Sequence, residues 1–261
     1  MSVVLVTGGS GTLGSRLVAA LRERDHDVRV LSRRPGAGTH RGDLTTGEGV
    51  AEVAAGAELV LHAASDTRRR GKADLEQTRR LLAAAPDARH LLYVSIVGID
   101  AIPFGYYRRK LACEREVATS SVPHTIFRAT QFHELLALAL RSVGRLPVVP
   151  LPLEWPFQSV AAAEAAGRAV ELLDGEPLGR APDFGGPEVL TVREIVAAWR
   201  ERHGRPRRFV NLRLPGRVSR GFRAGRHTCP EHRDGHQTWS EFVRALADPA
   251  AADAERSTPR E

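Results

Sequence analysis

Ser95, Tyr106 and Lys110 have the residue types and spacing of an acid–base set in this 261-residue chain. Tyr106 and Lys110 lie four apart in a segment of helical spacing, so both side chains fall on one face. An ammonium beside a phenol favours the phenolate and draws tyrosine down from its ordinary pKa of about 10. Lysine is a compact charge that can also reach a ribose, and Lys110 is one of only two lysines in a chain otherwise supplied with arginine. Ser95 closes the apolar run 90–94, where its hydroxyl can meet a substrate carbonyl. Tyr107, three residues from Lys110, takes the donor role if the helix is shifted by one. The bland alternative is a solvated tyrosine and lysine on an exposed helix.

A second set works through its backbone. Val3, Val4, Leu5 and Val6 run directly into Thr7, Gly8, Gly9, Ser10, Gly11, Thr12, Leu13 and Gly14, after which the spacing becomes helical. A strand, a glycine turn and a helix N-terminus in that order form a nucleotide-binding βα unit. Gly8 permits the tight turn, Gly11 lets backbone approach a pyrophosphate, and Gly14 lets the helix pack against the sheet. The unpaired N–H groups over Ser10 to Gly14 then face the phosphates. Ser32, Arg33 and Arg34 follow the next strand. An acidic residue there would hold a ribose hydroxyl, whereas paired guanidiniums attract a 2′-phosphate, so the spacing predicts NADP(H). Asp43, with Leu44 beside it, is either a helix N-cap or an adenine contact. The small residues Ala63, Ala64 and Ser65 leave room for a cofactor across a strand end, and His62 reads as a packed strand residue.

These sets need elements to hold them. Apolar runs at 3–6, 27–32, 58–64, 90–95 and 124–128 predict strands. Helical spacing predicts helices at 15–24, 43–55, 74–85, 106–119, 161–173, 192–202 and 239–247. Strands alternating with helices predict an α/β, Rossmann-type doubly wound parallel sheet with a small C-terminal substrate lobe. The expected division is 1–147 for the nucleotide-binding domain, 148–247 for the interleaved lobe, and 248–261 for a disordered tail. Pro147, Pro150, Pro152 and Pro156 stiffen an apolar segment that is either a lid or a connection to the lobe.

The composition, 42% hydrophobic and 26% charged, is that of a globular protein, and no apolar run approaches the ~20 residues of a membrane span. Cys113 and Cys229 make no disulfide framework. A cytoplasmic location, a small-molecule substrate and a monomer or homodimer are expected. The net charge of +7 comes from scattered arginine. Its one dense run, residues 68–72, lacks the aromatic platform of a nucleic-acid site, so no nucleic-acid or membrane partner is expected. That run is a candidate for capturing an anionic ligand, with a solvated loop as the alternative. His227, Cys229, His232 and His236 lie close together but are interrupted by Pro230 and Arg233, so no metal site is expected.

On the glycine loop, the Ser32–Arg33–Arg34–Pro35 and Gly42–Asp43–Leu44 segments, Tyr93–Val94–Ser95, Tyr106 with Lys110, and residues 128–132, the chain resembles the short-chain dehydrogenase/reductase superfamily. It is closest in character to the atypical, NmrA-like NAD(P)H-binding branch, over residues 1–245. The resemblance implies NADP(H) and carbonyl or alcohol chemistry by Ser95, Tyr106 and Lys110 on a carbonyl, enone or quinone-like molecule. Extended members carry an asparagine for a water-linked proton relay where this chain has Asp74. Atypical members also include non-catalytic cofactor sensors, so a regulator of that type is the second function class.

Overall fold

β-branched and leucine-rich runs bounded by glycine turns line up as a parallel sheet of seven strands. A computed structural model describes residues 1–34, 36–66, 69–143, 147–203 and 208–246. The sheet order is β3 (Thr39–Arg41), β2 (Asp27–Ser32), β1 (Val3–Thr7), β4 (Leu59–His62), β5 (His90–Ile96), β6 (His124–Ala129) and β9 (Gly179–Arg180). Every pairing is parallel, with Val4 opposite both Val28 and Leu59. Strand order reverses between β1 and β4, and the C-terminal strand ends at such a switch point are the usual ligand position of an open α/β sheet. The expected fold class is the observed one.

Side chains alternate between two faces along each strand. Val4, Val6, Leu59, Leu61, Leu92 and Phe127 pack against α1 (Thr12–Glu23) and the alanine-rich α6 (Ala162–Asp174). Leu5, Val60, Leu91, Tyr93 and Ile126 face the other way, toward α2 (Val50–Ala54), α3 (Asp74–Ala84) and α4 (Gly105–Ala118). A third apolar cluster joins α5 (His133–Val143), α7 (Val192–His203) and α9 (Trp239–Ala245) around Trp199 and Trp239. A fourth joins the loop after β5 to α8 (Gly216–Arg223) through Ile99, Ile102, Tyr107 and Phe222.

Several elements differ from the expectations. The helix expected over 43–55 shrinks to α2, because Gly47 and Gly49 adopt φ of 88° and 69° and break the helical path. The proline-rich segment is a connection that carries strands. β7 (Val148–Leu151) pairs with β11 (Arg208–Asn211), and β8 (Pro156–Phe157) pairs with β10 (Leu190–Thr191). α5, α8, β3 and β9 lie outside the elements read from spacing. Pro35, Arg68, residue 247 and the expected tail at 248–261 lie outside the described residues. Among those described, no helix is long and apolar enough to cross a membrane.

Candidate active site

The glycine loop is held to its path by atoms a side chain would displace. Gly8 has φ of 74°, and a Cβ there would come within 2.7 Å of the backbone of Ala63 and Ala64. A Cβ on Gly14 would meet the Gly8 carbonyl at 2.0 Å, so the first turn of α1 rests on the loop itself. Gly11 is the N-cap, and no side chain accepts from the first turn, which holds no acidic residue. The helix N-terminus therefore presents its free N–H groups and positive dipole end beside exposed Ser10, Gly11 and Thr12. Leu13 differs: its side chain is buried in the α1 core, and only its backbone belongs to the loop's surface.

Beyond β2, Arg33 and Arg34 are exposed, and neither pairs with a carboxylate among the described residues. The Ser32 hydroxyl accepts from the Arg34 N–H at 3.2 Å and shapes this corner. Asp43 is not a helix N-cap. Its Oδ1 accepts from Thr45 N–H at 2.7 Å and closes a turn, while Leu44 is buried under α2 and α3. A helix N-terminus without a side-chain cap, a glycine cradle and two exposed guanidiniums fit the pyrophosphate and the 2′-phosphate of a dinucleotide.

The second set lies on the face covered by α3 and α4. The Tyr106 hydroxyl stands 3.0 Å from Ser65 Oγ, and Ser65 in turn donates to Asp74 Oδ2 at 2.6 Å. With its own proton spent on Asp74, Ser65 is left to accept from Tyr106. Asp74 Oδ1 accepts the Asp66 N–H at 2.8 Å, so both carboxylate oxygens are engaged. Gly71, at φ of 73°, lies against the Tyr106 ring, where a Cβ would come within 3.1 Å. Tyr107 is instead buried among Phe104 and Phe222, at ring distances of 5.5 and 5.9 Å. Of the two tyrosines, Tyr106 reaches the strand ends.

Lys110 departs from its expected role. It is buried, donates to the Val94 carbonyl at 2.8 Å, and sits 4.2 Å above the Tyr93 ring. Burial lowers its pKa, against the raising pull of Cys113, Asp74 and Glu114. It does not draw Tyr106 down: burial raises the Tyr106 hydroxyl, the Ser65 hydrogen bond opposes this, and the Asp74 charge adds to it. Tyr106 is thus kept as a protonated phenol. Ser95 follows Leu91 and Tyr93 in the alternation of β5, so it points to the α4 face. It is 3% exposed, and its hydroxyl has no partner among the described residues. Thr130, just past β6, has the same unpartnered buried hydroxyl. A buried hydroxyl without a partner is uncommon in a native fold, and these two lie at the C-terminal ends of adjacent strands.

His62 is structural, as its setting in the strand suggests. Thr78 donates its proton to the Asp74 carbonyl at 2.8 Å and so accepts from His62 Nε2 at 3.1 Å. Nδ1 then accepts from the Thr7 hydroxyl at 2.7 Å. Burial first, then the Lys110 charge, lowers its pKa to about 3. His227 sits edge-on to Phe157 and Phe222, both at 4.8 Å, and Cys229 N–H donates to Gln158 Oε1 at 2.7 Å. No group of three or more His, Cys, Asp or Glu among the described residues is arranged to hold a metal ion.

Comparison with known proteins bears directly on this arrangement. The family described as NAD(P)H-binding matches residues 8–135, which run from the glycine loop through the Ser95, Tyr106 and Lys110 segment. A (4-alkanoyl-5-oxo-2,5-dihydrofuran-3-yl)methyl phosphate reductase of Streptomyces griseus subsp. griseus is 34% identical over 225 residues, 80% of this chain and 77% of that protein. The chain belongs to the NAD(P)H-binding family. It is an enzyme of the NAD(P)H-dependent oxidoreductase class. An NADPH-dependent quinone oxidoreductase of Escherichia coli, solved with NADPH, shares its fold at a TM-score of 0.77. Identity is 18%, over 92% of this chain and 98% of that one. A superfamily protein from Agrobacterium tumefaciens with bound NAD gives a TM-score of 0.70 at 18% identity, over 97% of this chain and 98% of that one.

Sequence reasoning missed Thr130 and the bridging role of Ser65. For Thr130 the available signal was its place one residue past a buried strand. Ser65 carried no signal, because both of its partners lie in later helices.

Proposed function

We propose that the chain is an NADPH-dependent reductase of a conjugated carbonyl compound, with Tyr106 as proton donor. The observations that carry this reading are the hydrogen-bonded series Tyr106–Ser65–Asp74 just past β4 and, near the end of the neighbouring β5, the buried Ser95 hydroxyl that has no partner among the described residues. The glycine loop and the α1 N-terminus would hold the pyrophosphate, and Arg33 and Arg34 the 2′-phosphate. When bound, the cofactor supplies the hydride. The cofactor falls to residues 1–147 and the substrate to the lobe at 148–247.

Ser95, with Thr130 beside it, donates to the substrate oxygen and orients it. Tyr106 passes its proton to that oxygen, and its raised pKa keeps the proton available across neutral pH. Lys110 stiffens the Tyr93–Val94 stretch of β5 rather than tuning the phenol. The substrate class follows a (4-alkanoyl-5-oxo-2,5-dihydrofuran-3-yl)methyl phosphate reductase and an NADPH-dependent quinone oxidoreductase, whose names both denote conjugated carbonyl compounds.

The test is NADPH oxidation across a panel of cyclic enones and quinones by the unmodified protein and by Tyr106→Phe. The variant keeps its NADPH affinity and loses about two to four orders of magnitude in turnover, the usual worth of positioned acid–base catalysis. Equal turnover by the two proteins would remove Tyr106 from the chemistry. NADPH binding with no turnover across the panel would replace the reductase with a cofactor sensor.

A further inference from the structure

A concentration of charge beyond Tyr107 plays no part in the site above. Helix α8 exposes Arg217, Arg220 and Arg223 at three-residue spacing, and exposed Arg226 follows it. Arg108 of α4 is exposed too, and with the backbone of residues 99–103 the five arginines line an open groove of about 890 Å³. Pro103, Leu111 and Ala224 give it accessible apolar surface, with Ile99 and Ile102 buried beneath.

The fold does not neutralise these guanidiniums. Residues 212–230 contain no aspartate or glutamate. Among the described residues none of the five forms an ion pair, and Asp100, the carboxylate in the lining, is committed to Arg128 at 3.1 Å. Arg223 reaches the Leu214 carbonyl at 3.3 Å and Ser219 Oγ at 3.5 Å, and Arg226 the Ala101 carbonyl at 3.4 Å; all are uncharged oxygens. Like charges on one helix face repel, and Arg217 stands in the first turn against the positive end of the dipole. α8 nonetheless docks firmly, because Gly221 lets it approach Ile102 so closely that a Cβ would fall within 2.9 Å. The helix is thus seated so that its arginine row faces Arg108 across a concavity.

We propose that this groove binds the phosphate of a small phosphate ester, with the ester's carbon skeleton against Pro103, Leu111 and Ala224. Guanidinium forks match phosphate oxygens bidentately, and several of them suit a dianion better than a single carboxylate. The volume is that of a small-molecule site, within the usual range of about 300–1,000 Å³. The groove shares no lining residue with the glycine loop or with Arg33 and Arg34, so it is separate from the cofactor cradle. The proposal stands on charge and shape and does not rest on the redox reading.

Calorimetric titration of the full chain with hexyl phosphate, in the absence and in the presence of saturating NADPH, tests it. Binding is expected under both conditions and should weaken as salt is raised. The triple variant Arg217→Gln/Arg220→Gln/Arg223→Gln should bind at least about tenfold more weakly, with NADPH affinity unchanged. Arg108→Gln, on a different element, should weaken it in the same direction, which separates loss of the site from misfolding of α8. Equal binding by the triple variant would overturn the proposal, as would loss of the hexyl phosphate signal under saturating NADPH, which would assign it to the cofactor cradle. Vesicles of phosphatidic acid present the same headgroup. A response to them without one to hexyl phosphate would overturn the free ester in favour of a lipid surface. Arginine-dependent binding of a single-stranded oligonucleotide alone would overturn it in favour of nucleic acid.

Discussion

The two faces of the central sheet are built for different ends. Under α1 and α6, the buried surface is valine, leucine, alanine, Phe127 and Phe184, with His90 beside it, hydrogen-bonded to the Leu173 carbonyl and Thr125 at 2.9 and 2.8 Å. Under α3 and α4, the same strands bury His62, Ser95 and Arg128, and the helices answer with Asp74, Thr78, Lys110 and Glu114. One face is packed by shape; the other is wired by hydrogen bonds. On the proposed reading the pyrophosphate cradle belongs to the first face and is mostly backbone, whereas the proton-transfer set belongs to the second and is mostly side chain. Cofactor recognition and chemistry can therefore be broken separately.

The largest separation is expected at Glu114. Arg128, 4% exposed, donates to Glu114 from Nε at 2.8 Å and from Nη2 at 2.6 Å, and its remaining nitrogen meets Asp100. Glu114→Ala strips a buried guanidinium of its main partner and should cost about 3–5 kcal/mol of stability. Denaturant unfolding measures this, and a loss under about 1 kcal/mol would show that water replaces the carboxylate. The folded variant should keep its NADPH affinity, because the α1 face is untouched.

Asp74→Asn is a smaller wound on the same face. An asparagine has one acceptor oxygen where the aspartate uses two; with that oxygen kept by the Asp66 N–H, the amide NH2 faces Ser65 as a donor and the Ser65 proton loses its acceptor, at about 1–3 kcal/mol. The substitution also removes one of the charges that raise Tyr106. A reaction that needs the protonated phenol declines as pH rises through that group's pKa, so its alkaline limb should move to lower pH in the variant. An unmoved limb, read from a pH–rate profile, would detach Asp74 from the tyrosine.

The smallest effect tests the other face. Arg33→Ala/Arg34→Ala should weaken NADPH by about tenfold and leave NADH unchanged, since only the 2′-phosphate loses its partners. Parallel losses for both cofactors would place the arginines elsewhere.

How far each face could be read from sequence follows from the reach of its interactions. The glycine loop makes its demands within eight residues: Gly8 needs φ above zero, and Gly14 must admit the Gly8 carbonyl. Such local constraints are written in residue order. The four-residue spacing of Tyr106 and Lys110 was legible too, but their partners were not. Tyr106 meets Ser65 41 positions earlier, and Lys110 meets a backbone carbonyl 16 positions earlier, a contact no pattern encodes. The assumption that the lysine tunes the tyrosine fails for that reason: four-residue spacing sets a shared face, not a shared contact. α8 was hidden by its own composition, with Gly216 and Gly221 weakening the helical signal and tertiary packing supplying what propensity lacks. The helix expected over 43–55 erred in the opposite direction, since its periodicity was intact and two left-handed glycines overruled it.

The tie from Thr7 through His62 to Thr78 has a consequence for the proton economy of the whole molecule. An imidazole fixed as the Nε2–H tautomer, with its pKa near 3, refuses protons that the unfolded chain accepts below about 6.5. Its share of stability is complete above that value and drains away as the solution is acidified toward 3. His227, at about 4, and His90 and His133, lowered mainly by burial, lean in the same direction. Four buried histidines thus make the interior indifferent to pH through neutrality and sensitive to acid.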